Sequence, residues 1–274
     1  MYPTKKYVSL EFLSKKLDLP ERIILELAKD SPHLYYYHTI RKKESGKKRK
    51  LQIPYLILKN FQRRLLGLIL EHIPIHYRLY GSPGTSIKDA VRDHIRKDVV
   101  ITVDIKDFFP SIPAYKIRAA LNRFCLDRET SIILTRLVTH NNRLPQGAPT
   151  SPCIGRIVLT PFARELEHLL NKIPDSFFSI YVDDITISGP KDIKGIIQDV
   201  YKLLARYGYR AKEEKTNIMD RDREQVSLNV KLNNRIEATN EFLKEIEELE
   251  KKLPASNPSL RGKKEYVRFL SASS

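Results

Sequence analysis

The sequence predicts a compact α+β protein, and three observations carry that prediction. Segments with apolar residues at helical spacing are interspersed with short β-branched and aromatic runs. The chain has 274 residues, 41% hydrophobic and 30% charged, enough apolar content at this length for a sizeable core. No internal repeat and no linker divides it.

In order, SLEFLSKKLDL and ERIILELAKD within residues 7–30 read as two short helices, the second starting after Pro20. LYYYHTI and RKKESGKKRKLQIPY read as a strand, a tight turn at Ser45-Gly46 and a strand. YLILKNFQRRLLGLILEHI is an amphipathic helix with basic residues on one face. IKDAVRDHI is a further helix, and VVITVDIKDFF a buried strand by its β-branched content. YKIRAALNRF and ETSIILTRLVTH are helical, and NNRLPQGAPTSP is a loop by its Asn, Gly and Pro. IGRIVLTPFARELEHLLNKI is a helix that Pro161 can kink. SIYVDDITISG makes a strand pair, DIKGIIQDVYKLLARYG a helix ended by Gly208. QVSLNVKLNNRIEA is expected to form a hairpin turning at Asn233-Asn234, followed by the charged helix EFLKEIEELEKKL and a short helix after Asn257-Pro258.

With 49 basic and 33 acidic residues the formal charge is +16, which favours a polyanionic partner over an inert basic surface. Cys125 and Cys153 lack the spacing of a metal knuckle and are too few for a disulfide framework, so they read as reduced thiols of a cytoplasmic protein. No apolar run reaches the ~18–20 residues of a membrane helix, and MYPTKKYVSL lacks a secretory core.

Asp183 and Asp184 stand together inside an apolar strand pair, and Asp104 interrupts the strand ITVDIKDFF as abruptly. Successive strand positions point to opposite faces, although a tight turn can present one or both of the paired carboxylates at its tip. If the two strands are sheet neighbours, the carboxylates converge into a patch that is costly unless cations fill it. Mg²⁺ supplies hard, oxygen-seeking charge, and two such ions about 3.5–4 Å apart serve nucleotidyl transfer.

DIKDFFPSI, LPQGAPTSP and YVDDITISG, in that order and spacing, resemble the A, B and C motifs of reverse transcriptases. Within that family the chain is most similar to the bacterial retron type: LPQGAPTSP differs from the PQGG form of group II intron enzymes, and the short N-terminal helices, basic hairpin and IPYLILKNFQRRLL helix also match. The resemblance implies a right-hand polymerase with fingers, an antiparallel-sheet palm and a short helical thumb. Residues 1–237 would hold fingers and palm, with fingers at about 1–95 and 115–150, and 238–274 the thumb.

The same resemblance implies two Mg²⁺ ions on Asp104 and Asp183, with Asp184 adjacent and the backbone carbonyl of Ile105 as a further ligand. Phe109 takes the position of a ring beneath the sugar that excludes a 2′-hydroxyl, while Phe108 reads as core. Gln146 and Gly147 match the nucleotide-pocket pair, and Arg49 the arginine on the triphosphate of the incoming dNTP. Lys42 is a partner for the terminal phosphate, with a solvated hairpin tip as the alternative for this run, in which seven of ten residues from Arg41 to Lys50 are basic. Lys215, in AKEEKTNIM, matches the lysine near the leaving pyrophosphate, with a surface lysine as its alternative. Arg261, Lys263, Lys264 and Arg268 of SLRGKKEYVRFL would grip an RNA–DNA duplex while Tyr266 packs.

Two departures stand out. Val226 and Ser227 occupy the place of the retron Val-Thr-Gly string without its glycine, and Asp89-Ala90 with His94 differs from the Asn-Ala-x-x-His string in residues and spacing. The resemblance implies a noncoding RNA partner that templates synthesis, priming from a guanosine 2′-hydroxyl, a branched RNA–DNA product and phage defence with a separate effector protein. The rivals are an abortive-infection or unassigned-group reverse transcriptase that polymerises without a template, and a non-catalytic RNA-binding module on a polymerase fold.

Overall fold

The computed structural model describes residues 8–41, 48–81, 84–123, 127–254 and 256–272. The chain forms two compact units, Met1–His76 with Asp107–Pro161, and Tyr77–Lys106 with Phe162–Ser274. Residues 238–272 lie within the second unit. Cys125, Lys42 and the Ser45-Gly46 turn lie outside the described residues.

In the first unit the two leading helices are Leu10–Leu17, capped by Ser9, and Glu21–Asp30 after Pro20, as the sequence predicts. Strands β1 (Tyr35–Arg41) and β2 (Lys48–Pro54) pair antiparallel, from Tyr35 opposite Pro54 to Arg41 opposite Lys48. Helices Leu56–His72, Ala114–Arg123 and Arg128–Val138 follow, and Leu58, Leu65, Ile117, Leu121 and Leu137 are almost wholly buried among them. Gln62, fully buried, ties the hairpin to this layer: its amide donates to the Tyr35 hydroxyl at 2.9 Å and to the Leu137 carbonyl at 2.8 Å. Helix Ser151–Leu170 carries Pro161 inside it and passes from the first unit into the second.

The second unit is built on a five-stranded sheet of β3 (Leu79–Tyr80), β4 (Val99–Asp104), β5 (Phe177–Tyr181), β6 (Asp184–Gly189) and β7 (Asn217–Asp220), in the order β3-β5-β6-β4-β7. All its pairings are antiparallel except β3 with β5, so the expected antiparallel sheet has a parallel edge. Val99, Ile101 and Val103 face the same side as their partners Gly189, Ile187 and Ile185, and all five with side chains are at most 1% exposed. A Cβ on Gly189 would meet the Ile193 side chain at 3.1 Å, which puts the turn Lys191–Ile196 and the helix Ile197–Arg206 that continues it on this side.

The other face becomes polar along its length, with Val100, Thr102 and Asp104 opposite Ser188, Thr186 and Asp184. Strands β8 (Val226–Ser227), β9 (Val230–Lys231) and β10 (Glu237–Ala238) form a small sheet that meets it. Ser227 and Thr186 share a hydroxyl hydrogen bond of 2.6 Å, and Val100 belongs to one apolar cluster with Val230, Leu232, Ala238 and Leu270. Helices Asn240–Lys252 and Pro258–Ser271 join this cluster through Phe242, Tyr266 and Leu270, which is why they belong to the second unit.

The hairpin expected to turn at Asn233-Asn234 is β9–β10, whose connection holds both residues, and a second turn that the sequence reading missed joins β8 to β9 on Leu228 and Asn229, both at positive φ (51° and 62°). Leucine is a poor turn former, but here Leu228 packs on the apolar cluster, and that burial offsets the left-handed backbone. No described helix is long and apolar enough to cross a membrane.

Candidate active site

The β5–β6 hairpin turns on Val182 and Asp183. Val182 has φ 60°, a conformation that hairpin turns ordinarily give to glycine and that a β-branched residue adopts only under constraint. The constraint comes from both sides. Ile105 N–H donates to the Asp183 carbonyl at 3.0 Å, and Val182 packs so tightly on Gly81 that a Cβ there would lie 2.7 Å from its Cγ2.

This turn starts β6 at Asp184, directly opposite Asp104 at the end of β4. Asp183 is thus in the turn and Asp184 on the strand, with Asp104 and Asp184 on one face of the sheet. The Asp184 carboxyl is pushed up to about 7, first by burial, then by the like charges of Asp183 and Asp104, against the opposing pull of Lys212 and Lys215.

The segment after Gly208 closes the site. Lys106 N–H donates to the Arg210 carbonyl at 2.7 Å and Lys212 N–H to the Asp104 carbonyl at 2.8 Å, forming a bridge in which the carbonyl of Ile105 takes no part. The Lys212 ammonium makes an ion pair with the Asp104 carboxylate, both side chains about four-fifths buried. Sequence reasoning named Lys215 and missed Lys212. A cleft of about 540 Å³ opens here, lined by Asp104, Asp184, Thr186, Lys215, Ser227 and Asn229 among others.

In the first unit, the LPQG loop docks on β2. Gln52 N–H donates to the Gln146 carbonyl at 2.8 Å, and Gly147 has φ 126°. A Cβ on Gly147 would meet the Gln52 carbonyl oxygen at 3.0 Å, so both backbone angle and space call for glycine. Arg49 lies on the same strand, half-buried, opposite Ile40. Phe108 is buried, as expected, and packs under Gly155, while its neighbour Phe109 is half-buried.

Residues 40–271 match the family model described as reverse transcriptase (RNA-dependent DNA polymerase). The chain belongs to the reverse transcriptase family. Relatives of the retron type include the Retron Mx65 reverse transcriptase of Myxococcus xanthus, 33% identical over 202 residues, covering 65% of this chain and 47% of that one. The Retron Se72 reverse transcriptase of Salmonella heidelberg is 29% identical over 217 residues, covering 77% and 57%. The chain thus spans about half the length of the curated relatives it matches. Among solved structures, apo telomerase from Candida tropicalis, truncated of its C-terminal domain, superposes with a TM-score of 0.55 at 12% identity, over 81% of this chain and 61% of that one. The fold is that of a right-hand polymerase.

Reverse transcriptases generally work with divalent metal ions, and the donor set of this one fits such ions. Its carboxylates are hard oxygen ligands whose mutual repulsion already raises Asp184. Among the described residues no three His, Cys, Asp or Glu side chains form a ready metal cluster.

The basic residues of the last helix are less free than their sequence suggests. Lys263 pairs with Glu245 at 2.8 Å and lies 4.5 Å over the Phe242 ring, and Lys264 pairs with Glu250 at 2.5 Å. Arg261 is 3.8 Å from Glu265, and Arg268 is exposed. Both lysines therefore hold helix Pro258–Ser271 against Asn240–Lys252.

Proposed function

We propose that this chain is an RNA-directed DNA polymerase of the retron type, which copies a cognate noncoding RNA into DNA as a branched product and serves phage defence with a separate effector. The observation that carries the reading is the meeting of Asp104, Asp183 and Asp184 at one sheet end beside Lys212 and Lys215. A strained turn and a register of backbone hydrogen bonds hold that concentration of charge, which has little value to a passive binding module.

Two Mg²⁺ ions, held by the three carboxylates and the Ile105 carbonyl, would activate the primer hydroxyl and stabilise the leaving pyrophosphate. Lys215 donates a proton or positive charge to that pyrophosphate. Lys212 neutralises Asp104 before substrate arrives and so keeps the acid end intact. Arg49 and Lys42 take the triphosphate, Gln146 and Gly147 the incoming nucleotide, and Phe109 excludes the 2′-hydroxyl. Arg261, Lys263, Lys264 and Arg268 contact the duplex backbone.

Asp183→Asn is expected to reduce incorporation of deoxynucleotides on a primed RNA to background while RNA binding stays within about twofold. Unreduced incorporation would refute the assignment. Phe109→Ala is expected to admit ribonucleotides, measured as the ratio of incorporation rates for the two sugars. Nucleic acid from cells expressing the gene with its native flanking DNA, resolved on a denaturing gel before and after RNase and debranching enzyme, tests the branched product.

A further inference from the structure

The acid cleft is not the only concave site of the second unit. A separate groove of about 600 Å³ lies between the part of helix Ser151–Leu170 within this unit and helix Ile197–Arg206, on the sheet face opposite Asp104 and Asp184. One wall carries Arg164, His168 and Lys172, exposed and four residues apart, so they share one side of the segment. Lys202 and Arg206 stand on the other wall.

The two acids of the groove are both committed to that second wall. Glu165 binds Arg206 at 2.8 Å and accepts from the Tyr207 hydroxyl, and Asp199 is 3.8 Å from Lys202. These contacts, with Phe162 edge-on to Tyr207 at 6.0 Å between centroids, fix the spacing of the helices. Arg164 and Lys172 make no hydrogen bond or ion pair among the described residues. The first wall thus presents aligned positive charge without an internal counter-charge, which is unfavourable unless an anion answers it.

The lining also selects the kind of anion. Its apolar side chains are Leu169, half-buried, and Leu203, buried, so it lacks the aromatic and aliphatic anchors of a protein interface. It lacks the exposed aromatic rings on which unpaired bases stack. Charge along a groove with neither feature suits the phosphate backbone of a duplex, read by shape.

We propose that this groove binds a double-stranded RNA stem, a second nucleic-acid contact on the face of the sheet away from the carboxylates. The inference rests on the polymerase reading in one respect, that RNA is the polyanion present. An RNA that both enters the acid cleft and reaches this groove must be long enough to pass around the unit, so a short primer–template would not engage it.

The test uses Arg164→Gln/Lys172→Gln in the full chain, both sites being exposed and outside the acid cleft. Binding of a long-stemmed RNA hairpin is measured by fluorescence anisotropy over a salt series, beside extension of a short primer–template and binding of polyglutamate. The double variant is expected to bind the hairpin about tenfold more weakly, with a log-affinity against log-salt slope shallower by about 2, and to extend the short primer at the parental rate. Unchanged hairpin affinity and slope would overturn the proposal, as would an equal loss for polyglutamate, which would make the groove a general anion surface. Failure of both proteins to extend the primer would sink the polymerase reading, while the hairpin comparison would still decide the groove.

Discussion

The acid end of the second unit and the LPQG loop of the first unit are organised by opposite means. In the second unit, side-chain charge is concentrated by strand register: Asp104 faces Asp184, Asp183 caps the turn, and Lys212 arrives from another segment to neutralise part of the excess. In the first unit there is no such concentration. Gln146 and Gly147 are positioned by main-chain contacts to β2, a carbonyl accepting from Gln52 and a missing Cβ that allows close approach. A site that handles charged groups thus depends on balancing charge, and a loop that must present backbone depends on excluding side chains.

The largest effect on stability should come from breaking the backbone-built region. Gly147→Ala places a Cβ 3.0 Å from the Gln52 carbonyl at a φ of 126° that alanine rarely adopts. We expect a loss of about 2 kcal/mol, seen as a lower thermal midpoint, together with reduced incorporation because Gln146 must shift. A variant of parental stability would show that the loop moves away from β2 without cost.

The charge-built region should respond in rate more than in stability. Lys212→Gln leaves Asp104 without its ammonium, and incorporation is expected to fall about tenfold with partial recovery in Lys212→Arg. The same substitution at Lys215, which lines the cleft while Lys212 makes the ion pair with Asp104, separates a positioning role from action on the leaving group. Equal losses with no arginine recovery at either site would contradict that separation.

The difference between the regions also explains what could be read from sequence. The three carboxylates and the LPQGAPTSP loop were legible because each interrupts a local pattern, acids within β-branched runs and a Gly/Pro string between helices. Lys212 was not, since only the non-local bridge between residues 104–106 and 210–212 brings it to Asp104. The Leu228-Asn229 turn was hidden because tertiary burial of Leu228 overrides its weak turn preference. Lys263 and Lys264 read as free cations because their partners Glu245 and Glu250 belong to another helix.

The smallest expected effect lies at a buried imidazole on the polar face of the sheet. His94 is fully buried, its Nδ1 2.7 Å from the Ser188 hydroxyl and its Nε2 2.9 Å from that of Ser179. Burial, with the nearby cations of Arg78 and Lys97, lowers its pKa to about 3, while Arg78 is itself paired to Asp93 at 3.1 Å. Between the unfolded value near 6.5 and the folded value the unfolded chain binds the extra proton, so stability contributed by neutral His94 is complete above pH of about 6.5 and falls on acidification. From pH of about 7 to about 6 the loss should be somewhat under 1 kcal/mol, steepening below that. Denaturant unfolding of the parent and of His94→Gln over this range measures it, and the parent should lose more stability than the variant. A parent curve no steeper than that of the variant would mean that the His94 pocket admits the charged ring, and that the polar stripe leading to the carboxylates is wetter than its burial implies.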